Sequence, residues 1–144
     1  MSIAKYSLTA IDCPDPVELA AFYSQITGLE MEPLGDISKD SVHWYELLHH
    51  GVGMIAFQRV ADYLPPTWPQ GPIPQQVHLD FQVQDLDEAE LQVLAIGARI
   101  AAPSDGKNFR VYLDPVGHPF CFVLEEEREV ILESLAAEVT SNRI

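Results

Sequence analysis

Basic side chains are scarce in this chain: eight Lys and Arg stand against 22 Asp and Glu, a formal net charge of −14 over 144 residues. Phosphate recognition relies on clustered Lys and Arg, so neither nucleic acid nor an anionic membrane is an expected partner. Long apolar runs are lacking as well. None approaches the roughly 20 residues that cross a bilayer. Met1 to Tyr6 has no basic segment leading into an apolar core, so no signal peptide is read there and the expected location is the cytoplasm. Only two cysteines occur, Cys13 and Cys121, far apart and outside any CxxC pattern. That excludes a zinc ribbon or a redox pair, and a cytoplasmic chain disfavours a disulfide.

What is present is a hydrophobic fraction of 47%, enough for a core, and a grammar that occurs twice. Asp15-Pro16-Val17-Glu18 precedes Leu19, Ala20, Ala21, Phe22, Tyr23 and Ile26, with Gly28 beyond. Asp15 is an N-cap, Pro16 fits the first helical turn, and Glu18 stands where a capping box wants it. Gly28 suits the left-handed stop. Asp85, Glu88 and Gly97 repeat the pattern around Leu91, Val93, Leu94 and Ile96, with the caps 70 positions apart.

The flanks repeat too. Strand-like stretches precede the helices at Tyr6 to Ile11 and Val77 to Val83. In the second, His78, Asp80 and Gln82 alternate with Val77, Leu79, Phe81 and Val83, so they take opposite faces. Three extended stretches follow each helix: Glu30 to Leu34, Val42 to Leu48 and Met54 to Val60, then Ala98 to Ala102, Phe109 to Leu113 and Pro119 to Leu124. Glycine turns at His49 to Gly53 and Asp114 to His118 read as hairpins longer than the two-residue kind. Each half is thus strand, helix, strand, strand, strand. A helix covers one face of each sheet, and pairing the sheets gives a half-open barrel around a cup.

The expected class is α+β, two tandem βαβββ modules in one domain over residues 1–126. Module 1 takes about 4–60, a Pro-rich linker 61–76 and module 2 77–126. Five prolines from Pro65 to Pro74 exclude helix and central strand from the linker. Two readings of it stand open: a stiff spacer, or a segment whose Tyr63 and Trp68 also wall the cavity. The acidic run from Glu125 opens a final helix, with a tail, over 127–144, whose apolar face includes Leu132 and Leu135. It packs on the domain or serves a homodimer.

These residues resemble the opening and second module of vicinal-oxygen-chelate proteins. Phe22-Tyr23 with Thr27-Gly28-Leu29 carries the first part. His78-Leu79-Asp80-Phe81-Gln82-Val83-Gln84-Asp85 and Asp114-Pro115-Val116-Gly117-His118-Pro119 carry the second. Ala56-Phe57-Gln58-Arg59-Val60 and Gly117-His118-Pro119-Phe120-Cys121 are similar to the glyoxalase-like subgroup. The resemblance covers about residues 5 to 125. It implies paired βαβββ modules. It also implies either metal-assisted enzymes (glyoxalase I, extradiol dioxygenases, fosfomycin-resistance proteins and methylmalonyl-CoA epimerase) or binding proteins such as those of bleomycin resistance. In the enzymes a divalent metal chelates neighbouring substrate oxygens.

Carried over residue by residue, the four ligand positions of the resemblance read Leu8, Ala56, His78 and Cys121. A chelating centre needs about three protein donors. This set offers one imidazole and one thiol, with Asp80 or Gln58 as auxiliary donors. A divalent metal is therefore disfavoured and no cofactor is expected. The candidate ligand-binding residues are Trp44, Met54, Gln58, His78, Asp80, Arg110 and Cys121. His78 is also the candidate catalytic base. Either Trp44 or Tyr45, flanking Glu46, faces the cup. Arg110 pairs with an acidic ligand, or with Asp80 or Asp114 at the surface. Three functions follow. The first is a metal-independent protein binding a small aromatic or amphipathic molecule. The second is a lyase, isomerase or dioxygenase-type enzyme using His78, with or without a divalent metal. The third is a degenerate module with a protein-interaction role.

Overall fold

The computed structural model describes residues 2–101 and 106–125. The helix expected over 127–144 lies outside them. The chain divides into two units, Met1–Pro65 and Pro66–Ile144.

Unit 1 starts where Asp15 ends the first strand, β1 (Thr9–Cys13), by capping α1 (Pro16–Thr27). Its carboxylate accepts from the Val17 and Glu18 amides, and Gly28 closes the helix at φ 71°. Such a cap contributes about 1 kcal/mol. The Glu18 side chain turns to Lys39 Nζ at 2.7 Å. Next come β2 (Glu30–Met31), a single 3₁₀ turn (Lys39–Ser41), β3 (Trp44–His49) and β4 (Val52–Arg59). β2 is shorter than expected because Pro33, which has no amide to donate, ends the pairing almost at once. The sheet order is β1-β4-β3-β2, with β1 parallel to β4 and the other pairs antiparallel. One face carries Tyr45, Leu47 and Phe57 against α1, where Tyr23 stacks on Phe57 at 5.7 Å between centroids.

Unit 2 repeats this plan. Asp85 caps α2 (Leu86–Ala95) by accepting from the Asp87 and Glu88 amides, and Gly97 at φ 112° follows the helix. The strands are β5 (Leu79–Val83), β6 (Arg99–Ile100), β7 (Phe109–Leu113) and β8 (Pro119–Leu124), in the order β5-β8-β7-β6. Again the first strand runs parallel to the last. The helix face is aromatic: Phe81, Tyr112, Phe120 and Phe122 meet with centroids 5.2–6.5 Å apart. Tyr112 Oη donates to Glu90 on α2 at 2.9 Å. Burial, then that hydrogen bond, holds its phenol far above the usual range.

Both sheets are open four-stranded sheets, in keeping with the α+β reading. The turns differ from it in one respect. His49 pairs with Val52, so His50-Gly51 is a two-residue loop, with φ 50° and 77°. That is the type I′ geometry which follows the twist of antiparallel strands. The second turn is long, as expected. Asp114, fully buried, accepts from the Val116 and His118 amides at 3.0 and 2.9 Å, so the Asp-Pro-Val-Gly-His motif is a self-capped turn.

Candidate functional site

Strand alternation sorts the candidates. Across unit 2, Asp80 lies opposite Cys121 and Cys121 opposite Val111, so all three share the face away from α2. His78, one residue before β5, adds its imidazole beside Asp80, with Nε2 3.3 Å from Oδ1. The donor atoms of His78, Asp80 and Cys121 all lie within 4.8 Å of one another. His78 and Asp80 are exposed, whereas Cys121 is buried. Burial pushes the Cys121 thiol up to about 12, and the charge and hydrogen-bond acceptance of Asp80 add to the effect. At neutral pH this sulfur is a protonated donor to the carboxylate rather than a nucleophile.

An apolar patch adjoins the cluster. Ala101, Val111 and Cys121 form a buried group, with Leu113, Val123 and Trp68 packed against it. The Pro-rich segment therefore does more than space the modules. From Pro66 onward it belongs to unit 2, and its indole covers part of the open face. Thr67 fixes the loop: its amide donates to Ile73 O, and its hydroxyl accepts from the Ile73 amide at 3.1 Å. Gly71 passes so close that a Cβ there would stand 2.3 Å from Thr67 Oγ1, which leaves room for glycine alone.

Arg110 is not part of this group. It stands opposite Phe122, one position out of phase with Cys121, and so projects to the helix face. There it pairs with Asp87 at 2.6 Å and Glu90 at 3.2 Å. The expected partners Asp80 and Asp114 are replaced by carboxylates of α2. The strand parity carried this signal, since residues 110 and 111 must take opposite faces.

Unit 1 presents Trp44, Met54 and Gln58 on its own open face, all exposed; Trp44 and Gln58 are direct cross-strand neighbours. Of the two aromatics around Glu46, Trp44 is the exposed one, and Tyr45 is buried on the helix side. Trp44 Nε1 donates to Glu46 Oε1 at 2.8 Å, a contact between strand residues two apart on the same face. Register matches Ala56 to Cys121 and Ala10 to Asp80. One step before Thr9, Leu8 takes the place of His78. None of the three unit 1 side chains carries a donor atom. The residues present therefore do not fit a metal ligand set shared between the two modules.

The fold and sequence have known counterparts. A family model described as "Glyoxalase-like domain" matches residues 9–123. No curated protein sequence matches the chain. Among solved structures, a glyoxalase/bleomycin resistance protein/dioxygenase family enzyme from Burkholderia phytofirmans PsJN is similar at TM-score 0.57. Its identity is 22%, over 82% of this chain and 96% of that one. The fosfomycin resistance protein FosX of Listeria monocytogenes is similar at TM-score 0.59 and 19% identity, over 88% of this chain and 98% of its own. A glyoxalase-related enzyme from Fulvimarina pelagi reaches TM-score 0.57 at 15% identity, over 86% and 90%. At these identities the structural likeness speaks for the fold. The family match, which spans residues 9–123, places the chain: it belongs to the glyoxalase-like domain family.

Proposed function

We propose that this protein binds a small aromatic or amphipathic molecule on the open face of the unit 2 sheet, without a metal centre drawn from both modules. The observation that carries the reading is the juxtaposition of a polar cluster with an aromatic-flanked apolar patch. His78 and Asp80 offer exposed donors and acceptors beside Trp68, Val111 and Ala101. Small-molecule sites have this composition, a mostly apolar wall with a few convergent polar groups. Trp68 supplies a flat surface for a ring, and the His78–Asp80 pair orients an oxygen or nitrogen of the ligand.

The test is a thermal-shift screen of aromatic acids, phenols and amphiphiles in EDTA, repeated on variants. A stabilising compound should lose most of its shift in His78→Ala and in Trp68→Ala. Shifts that survive both substitutions would remove the reading. One observation favours a second reading, an enzyme of the lyase or isomerase kind: the carboxylate 3.3 Å from the imidazole is the arrangement of a base and its orienting group. Turnover of a compound found in the screen, abolished in His78→Ala and reduced in Asp80→Asn, would establish it.

A further inference from the structure

The family's usual ligand set fails in unit 1, yet unit 2 assembles three donors of its own. His78 and Asp80 come from the start of one strand, and Cys121 from its parallel neighbour. Alternation along the first strand and register between the two strands place an imidazole, a carboxylate and a thiol on one face, within 4.8 Å of one another. The carboxylate is the member that changes the count. One imidazole and one thiol are too few to hold a divalent ion, whereas three donors leave a fourth position for solvent or a ligand.

We propose that unit 2 alone binds a thiophilic divalent cation of the Zn²⁺ class through His78, Asp80 and Cys121. Tetrahedral zinc, with bonds of about 2.0–2.3 Å, sets its donors about 3.3–3.6 Å apart. The His78–Asp80 separation of 3.3 Å already matches that spacing. The remaining pairs close within it by side-chain rotation, which the exposure of His78 and Asp80 permits. The donor types choose the ion. Imidazole with thiolate suits zinc, cobalt or nickel, and disfavours magnesium, calcium and manganese, which prefer oxygen cages. Binding exchanges the Cys121 thiol proton for the metal, and the proton leaves to buffer. The small-molecule reading does not depend on this inference. Ligand shifts recorded in EDTA test that reading, and metal retention tests this one.

The full-length protein is stripped with EDTA, desalted, and titrated with Zn²⁺ and, separately, with Co²⁺. The expected result is one equivalent of zinc retained through desalting, and a cobalt spectrum with a sulfur-to-metal charge-transfer band. Cys121→Ser should abolish that band. Asp80→Asn and His78→Ala should each weaken Zn²⁺ binding at least on the order of a hundredfold, since loss of an outer partner alone costs 10–100-fold. Thermal unfolding in EDTA verifies that each variant is folded. The exposed His78 and Asp80 changes keep the test open should Cys121→Ser unfold. The adjacent imidazoles of His49 and His50, with ring centroids 4.3 Å apart, are the competing binder. Three results would each overturn the proposal. They are no retained zinc, a cobalt spectrum without a thiolate band, and zinc binding lost in His49→Ala/His50→Ala but kept in Asp80→Asn.

Discussion

The two units share a plan and differ on one face. Strand order, the parallel pairing of first and last strands, and the aspartate cap on each helix are the same in both. On the helix side both bury aromatic rings. On the open side, register-matched positions read Leu8, Ala10 and Ala56 in unit 1, and His78, Asp80 and Cys121 in unit 2. The helix face is what the fold needs, because each sheet must bury one side to be stable. The open face is free to diverge, and there the matched positions carry donor atoms in one copy and none in the other.

If the helix faces are equivalent, truncating either should cost alike. Phe57 and Phe120 are both fully buried and occupy neighbouring steps of the same register, Phe57 against Tyr23 and Phe120 against Tyr112. Phe57→Ala and Phe120→Ala should each lower stability by about 3–5 kcal/mol, as large cavities do. Urea unfolding measures this. A loss under about 1 kcal/mol in one of them would show that the two cores are unequal despite their shared topology.

The turns sharpen the contrast further. Unit 1 closes its hairpin with two left-handed residues, and unit 2 with a buried carboxylate that holds two amides. Asp114→Ala leaves those amides without that acceptor and should cost about 1–3 kcal/mol. Asp114→Asn, which keeps one acceptor oxygen, should recover part of the loss in the same unfolding measurement.

The repeated fold was readable in the sequence because its signals are local. An aspartate before a helix, a glycine after it and a two-residue alternation each act within a few positions. The open faces were readable where alternation was unbroken. Alternation put His78 and Asp80 on one face, and Cys121 came in as a ligand position of the family resemblance. Arg110 was misplaced because its charge drew more weight than its parity, and the acidic first turns of α2 that claim it come into reach only when the helix packs. Trp68 stood between two readings because no periodicity runs through a Pro-rich loop. Its position depends on Thr67 closing that loop onto Ile73, a contact between residues six apart. The hairpin at His50-Gly51 was read as too long, because the left-handed His50 is an uncommon choice where asparagine is the familiar one.

A reactivity difference between the cysteines tests the open face directly. Cys121 is pushed from an ordinary 9.0 to about 12 by burial and by Asp80. The folded protein therefore holds this proton more tightly than the unfolded chain does. The stabilising contribution is complete below about pH 9 and is lost as pH rises toward about 12. Asp80→Asn removes the opposing charge, so the thiolate fraction at pH 8 should rise, tenfold for each unit the pKa falls. Disulfide-exchange labelling followed by peptide mass spectrometry reads Cys121 against Cys13, which lies fully buried in unit 1 and serves as the internal control. An unchanged labelling rate at Cys121 would show that the carboxylate does not act on the sulfur.

The smallest effect belongs to unit 1's turn. His50 holds φ 50°, a region where a side chain with a Cβ is strained by roughly 1–2 kcal/mol and asparagine is strained least. His50→Asn creates Asn-Gly, the pair that type I′ loops favour, and should stabilise the protein by about 0.5 kcal/mol. The gain should appear as a higher urea midpoint at unchanged slope. The same change made at His118, in the turn that a carboxylate already organises, should bring no gain, because that turn carries left-handed φ at Gly117 alone. Equal gains at both positions would mean that the two hairpins do not close by different chemistry after all.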